Sequence, residues 1–314
     1  MECKSTRNGF GDGVVELGKE DNDVVVLSAD VCESTRASYF AERFPERFFN
    51  VGVAEQNLIG VGGGLALVGK TVFVSTYGVF ATCRGLDQIR TTVCFSNLNV
   101  KIIGTHGGLL VGPDGATHHA LEEITLMRAM PNMRVIVPCD SIEAKKATLI
   151  AGRIKGPFYL RLGREPVPVI TDENTPFTLG KCGELHSGDD VTIIACGVMV
   201  YLSLEAIKHL EKDGISARLL NLHTIKPLDK ETILKAAKET NAIVTAEEHL
   251  LAGGMGSAVS ELLVKNHPVP IEMVGIDDKF GESGKPWEVM EGFGLTSTAI
   301  YEAVKRVLKR KKSN

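Results

Sequence analysis

The sequence predicts an α/β protein of two stacked α/β domains, the first built on a mostly parallel sheet and the second smaller. Three observations carry this. Short β-branched runs recur along the 314 residues, each followed by a longer stretch with helical apolar spacing, which is the pattern of parallel βαβ units. Nearly all of these runs are apolar on both faces, as strands lying between two helix layers must be. The alternation lapses once, between Glu165 and Asp190, into a stretch rich in Pro, Gly and short polar residues.

In chain order the strand-like runs are 23–30 (DVVVLSAD), 71–76 (TVFVST), 100–106 (VKIIGTH), 133–140 (MRVIVPCD), 157–163 (PFYLRLG), 191–197 (VTIIACG), 217–222 (ARLLNL), 242–248 (AIVTAEE) and 271–277 (IEMVGID). Helix starts are legible as well. Asp140 followed by Glu143 reads as a capping box, and Ser203 and Asp229 read as N-caps. The expected division is a first domain over 1–168, a linker over 169–188 and a second domain over 189–314.

Composition narrows the function. The net charge of −4 argues against a general nucleic-acid binder, because affinity for a phosphate backbone needs a basic face. The strongly basic tail KRVLKRKKSN reads as a solvated helix end. Apolar runs are interrupted by Gly or charge well short of a membrane span, so no membrane partner is expected. Cys3, Cys32, Cys83, Cys94, Cys139, Cys182 and Cys196 are scattered without a CxxC, which fits a reducing cytoplasm and offers no zinc-ligand spacing.

In open parallel sheets, ligands sit beyond the carboxyl ends of the strands. In the first domain those ends carry Asp30 and Ser34, Tyr77 and Phe80, His106, and Arg161 and Arg164, whereas the second domain's strand ends read as mostly small and poorer in chemistry. Glu55 is the most informative position, because VGVAEQNLIGVGGGLALVG is otherwise almost wholly apolar or glycine. A buried carboxylate is costly unless satisfied. Backbone N–H groups and the dipole of a first helical turn would satisfy it structurally, and a catalytic role would equally explain it.

RFFNVGVAEQNLIGVGGGLAL resembles the segment of transketolases that holds the glutamate facing the aminopyrimidine of thiamine diphosphate, and Glu55 falls at that glutamate. The similarity runs from STRNGFGDGVVELGK through STYGVFATCRGLDQIR and GTHGGLLVGPDGATHHALEEI to LNLHTIKPLD and EEHLLAGGMGSAV. It implies a thiamine-pyrimidine-binding domain followed by a transketolase C-terminal-like domain. The implied reaction moves a two-carbon ketol unit from a ketose phosphate to an aldose phosphate through a thiamine diphosphate carbanion, as in pentose phosphate metabolism. By the same resemblance, Asp30, Glu55, Tyr77 and Phe80 face the cofactor, and Glu55, His106 and His118 take part in catalysis. The resemblance also implies that His106, Asp114 and His118 contact the sugar and that Arg7, Ser34 and Arg164 hold its phosphate.

The family's diphosphate-binding domain, which supplies the Mg²⁺ ligands, is expected on a separate N-terminal-half chain, with the two chains assembling as α2β2. Alternatives are a half-subunit of another thiamine diphosphate enzyme, such as a 2-oxo acid dehydrogenase β subunit or a deoxyxylulose-phosphate-synthase-like chain, and a noncatalytic scaffold. Three apparent motifs are discounted. Gly11-Asp12-Gly13 mimics a metal motif but follows no strand, and the resemblance implies an ordinary helix there. Gly281 to Lys285 mimics a phosphate loop, yet Pro286 stands where Ser or Thr is required. Gly253, Gly254 and Gly256 weakly mimic a dinucleotide turn and read instead as helix–strand packing.

Overall fold

The structure, a computed structural model, describes residues 2–312; Met1, Ser313 and Asn314, the outermost residues of the expected domains, lie outside it. Every apolar run named above contains a strand. Strands Val24–Ser28, Val100–Thr105, Phe158–Arg161 and Val191–Ala195 are buried along their whole length, the physical counterpart of being apolar on both faces.

The first sheet has seven strands in the order Thr224–Lys226, Arg134–Ile136, Phe158–Arg161, Val100–Thr105, Thr71–Tyr77, Val24–Ser28 and Phe48–Asn50. All pairings are parallel except that of Thr224–Lys226, which comes from the second half of the chain and runs antiparallel to Arg134–Ile136. The two halves therefore share a sheet edge. The second sheet has five strands in the order Ile271–Ile276, Ile243–Leu250, Val191–Ala195, Ala217–Asn221 and Gly183–His186. Gly183–His186 is its antiparallel edge. That strand falls inside the expected linker of 169–188, so the connection is shorter than the sequence implied. GELH carries no apolar run to announce it, because a half-exposed edge strand needs none.

Asp140 does begin helix Ser141–Arg153, accepting from the Glu143 amide at 2.9 Å. Glu143 returns to the amide of Cys139 at 2.7 Å, one residue earlier than a capping box requires, and takes Asn221 Nδ2 of the second domain at 2.8 Å with its other oxygen. The second oxygen of Asp140 accepts from the amides of Ile170 and Thr171, which pins the start of the interdomain connection. Asp229 caps helix Lys230–Thr240 as expected. Ser203 is not a cap. It lies inside helix Met199–Lys212, and its hydroxyl back-bonds to the Met199 carbonyl at 2.7 Å.

Gly11-Asp12-Gly13 sits on helix Thr6–Glu20, where glycine serves packing: a Cβ on Gly13 would come within 2.9 Å of Thr148 on the facing helix. As far as Lys312, the basic tail forms the end of helix Ser297–Lys312, with its lysines favourably placed at the dipole's negative end. No helix among the described residues is long and apolar enough to cross a membrane.

Candidate active site

The carboxyl ends of the first sheet's strands open onto one side of the molecule, and most of the expected site residues meet there. Glu55 is the first residue of helix Glu55–Leu67 and is 5% exposed. Both its oxygens accept from Arg84 Nη1, at 3.0 and 3.1 Å. The Arg84 guanidinium lies 4.0 Å from the centre of the Phe80 ring. Phe80 meets the ring of His118 edge-on at 5.1 Å, and Tyr77, 5.8 Å from Phe80, stacks on His106 at 3.8 Å. A continuous row of flat groups thus runs from Glu55 through Arg84, Phe80 and Tyr77 to His106.

His106 directly follows strand Val100–Thr105 with φ at +59°, a conformation that turns the chain sharply into the following glycines. Its Nδ1 lies 3.0 Å from Thr105 Oγ1. Burial, reinforced by the charges of Arg7 and Arg164, pushes its pKa down to about 3, so the imidazole is neutral. Arg7 is itself pushed down to about 10 by burial and by Arg36 and Arg164. Its Nη1 donates to the Ser34 carbonyl at 2.6 Å, while its Nε is buried without a partner. Arg164 donates to the Val111 carbonyl at 2.7 Å and pairs with Asp114 at 3.6 Å. Arg7, Arg164, His106, Asp114 and His118 therefore form one polar, cationic cluster beside the aromatic row.

Two expected residues stand apart. Asp30, also at positive φ, is exposed and exchanges hydrogen bonds with Asn50: its carboxylate accepts from Nδ2 at 2.7 Å and its amide donates to Oδ1 at 3.0 Å. Ser34 meets Arg7 through its carbonyl, not its hydroxyl. Arg84 and Arg36 escaped the sequence reading. Arg84 lies four residues after Phe80 on helix Gly78–Arg84, and that spacing, which puts the two on one helix face, was the available signal.

The second domain's strand ends are richer in chemistry than their sequence indicated. Strand Ile243–Leu250 carries Glu247, Glu248 and His249, all buried against the first domain or a helix start. Glu248 accepts from the Leu110 amide at 2.8 Å, His249 Nε2 accepts from the Ile124 amide at 3.2 Å, and Glu247 receives the amides of Met255 and Gly256 at 2.6 and 2.8 Å. Gly254 and Gly256 thus leave room for the Glu247 carboxylate as well as for strand packing. Arg161 is structural: it joins Glu123 at 2.5 Å and the Glu248 carbonyl at 2.7 Å across the domain contact.

Residues 3–169 match the family model of the transketolase pyrimidine-binding domain, and residues 180–300 match that of the transketolase C-terminal domain. The chain is 41% identical over 305 residues to a 6-deoxy-6-sulfo-D-fructose transketolase subunit of a Clostridium species, covering 97% of this chain and 95% of that one. It is 39% identical over 305 residues to one of the apulose-4-phosphate transketolase subunits of Phocaeicola vulgatus, covering 97% of each. Among solved structures, a split-gene transketolase described as an inactive β4 tetramer superposes with a TM-score of 0.92 at 46% identity, covering 98% of this chain and 99% of that one. The fold, the domain order and these similarities place the chain in the transketolase family, of which it carries the pyrimidine-binding and C-terminal domains.

Proposed function

We propose that this chain is the pyrimidine-side subunit of a two-chain transketolase, which moves a two-carbon ketol unit between sugar phosphates. The observation that carries the reading is the trio of Glu55, Arg84 and Phe80. A flat guanidinium there is stacked on the Phe80 ring while donating to a buried carboxylate. A flat aminopyrimidine with a ring nitrogen facing Glu55 would satisfy the same two partners, so the residues present fit thiamine diphosphate. When bound, that cofactor supplies the nucleophilic carbon of its thiazolium ring.

The chain's own residues supply the rest. Glu55 would share a proton with the pyrimidine nitrogen and Phe80 and Tyr77 would hold the ring plane, while Asp30 with Asn50 braces the loop leading to Glu55. His106, neutral in the fold, and His118 are placed to donate to sugar oxygens. Arg7, with an unpartnered buried Nε, and Arg164 suit the distal anion, with the Ser34 segment holding Arg7 in place. The related proteins named for a sulfo-sugar and for apulose 4-phosphate fit an anion-gripping cluster whose ketose varies.

The diphosphate and Mg²⁺ are assigned to an N-terminal-half partner chain. Helix Glu55–Leu67 supports this, since Val61, Leu67 and Val68 are exposed on and beyond it and Gly60 and Gly64 face open space. An apolar face of this kind calls for a protein cover. The solved β4 tetramer, inactive by its description, supports self-association and the need for the second chain in an α2β2 assembly. The test is a coupled assay on xylulose 5-phosphate with ribose 5-phosphate. The isolated chain should show no turnover and should gain it with the partner, thiamine diphosphate and Mg²⁺. Robust turnover by the isolated chain would overturn the split-site reading.

A further inference from the structure

The segment Gly281–Pro286, whose first five residues mimic a phosphate loop, lies against the back of the loop that carries Asp114 and His118. Three contacts join them. At Gly112 (φ +71°) a Cβ would come within 2.7 Å of Pro286, and at Gly115 (φ +74°) within 2.3 Å of the Ser283 hydroxyl. The third is His119, whose ring is 2% exposed and faces Gly281 so closely that a Cβ there would sit 2.0 Å from Nδ1. Inside its own loop the same ring places Nε2 3.3 Å from the Gly112 carbonyl. With Nε2–H donating to that carbonyl, Nδ1 is left bare and buried without a partner. It points at the one residue type with no side chain, and burial lowers the ring's pKa, so it stays neutral.

We infer that His119 is a positioning residue, clamped between Gly112 and Gly281, through which the C-terminal domain sets the register of the substrate loop. His119 follows His118 directly, and the clamp at Gly112 precedes Asp114 by two residues, so both ends of the functional stretch are fixed by one ring. Asp114 in turn pairs with Arg164 at 3.6 Å. A shift of the ring therefore displaces the groups assigned to sugar and phosphate without touching Glu55. The role of the loop in substrate binding rests on the function proposed above; the clamp itself does not.

The test has two arms. In the isolated chain, hydrogen exchange over residues 109–118 should speed up by about tenfold or more in Gly281→Ala, with the strands of the first sheet unchanged. In a His119→Ala background the loop is already loose, and Gly281→Ala should add nothing. His119→Gln, which can still donate to the Gly112 carbonyl, should recover much of the protection lost in His119→Ala, and it keeps the arm decisive if the alanine variants fold poorly. In the reconstituted enzyme, Gly281→Ala should raise KM for the ketose phosphate by about fivefold or more while kcat stays within about twofold.

The inference is overturned if Gly281→Ala loosens the loop equally with and without His119, or if the loop's exchange ignores both substitutions. A loosened loop with an unchanged KM would overturn the positioning role. If even the wild-type assembly turns over no sugar phosphate, the functional reading fails while the exchange arm still decides the clamp.

Discussion

Arg161→Met probes the contact on which the two halves of the chain depend. The guanidinium is 6% exposed and donates to Glu123 Oε1 at 2.5 Å, the Glu248 carbonyl at 2.7 Å and the Ala120 carbonyl at 3.4 Å, with Glu248 Oε2 at 3.7 Å. Met fills the volume of the side chain's stem but leaves two buried carboxylates without their cation. Breaking a buried ion pair from one side costs about 3–5 kcal/mol. At about 2.1 cal/mol/K of unfolding entropy per residue, or about 0.7 kcal/mol/K for the whole chain, the melting temperature should fall by about 5–8 °C.

The deficit should also depend on pH. Burial already raises the pKa of Glu123 and, to about 6, that of Glu248, with Arg161 opposing both rises. Without the arginine both carboxyls move further above their unfolded values, so the folded variant keeps protons that the unfolded chain releases. Its stability then falls as pH rises, and the gap from wild type is wider at pH 8 than at pH 5. Differential scanning calorimetry of the isolated chain measures both effects. Arg153→Met, which breaks a half-exposed pair with Glu20 at 3.0 Å, is the control and should cost under about 1 kcal/mol. An Arg161→Met loss no larger than the control's would refute the account of the domain contact.

Glu55→Gln keeps the side chain's shape and removes its acidity. The assembled enzyme should form normally yet lose about 10²–10⁴ in kcat, with deuterium exchange at the thiazolium carbon of bound cofactor slowed in parallel. If exchange and turnover stay near wild type, Glu55 is a satisfied structural carboxylate. His106 is neutral in the fold and titrates only near pH 3, whereas in the unfolded chain it takes up a proton below about pH 6.5. The stability advantage of wild type over His106→Gln should therefore be full above about pH 6.5 and shrink by up to about 1.4 kcal/mol per pH unit from there towards pH 4. Urea midpoints of the two proteins across that range check this, and a constant advantage would contradict a buried neutral ring.

Local patterning determined a good deal of this protein. The apolar runs became strands because a strand buried on both faces must be apolar on both faces, and that requirement is written in consecutive residues. Asp229 was legible as a cap for the same reason, since a cap is satisfied within three residues. The ordered blocks around Glu55, His106 and His118 carried the family, and the carboxyl-end rule pointed to the side of the sheet where those residues now meet.

Tertiary structure decided whatever depends on partners distant in sequence. Thr224–Lys226 joins the other domain's sheet and Gly183–His186 forms an edge, and neither needs an apolar run of its own to do so. Ser203 reads as a cap from its neighbours, but the helix begins four residues earlier, at Met199. Glu248 and His249 look like unremarkable strand-end residues until the first domain brings the amides of Leu110 and Ile124 to them. The chemical meaning of Glu55 likewise waited on Arg84, 29 residues away, because a buried carboxylate is defined by what answers its charge, and sequence spacing does not specify which group that will be.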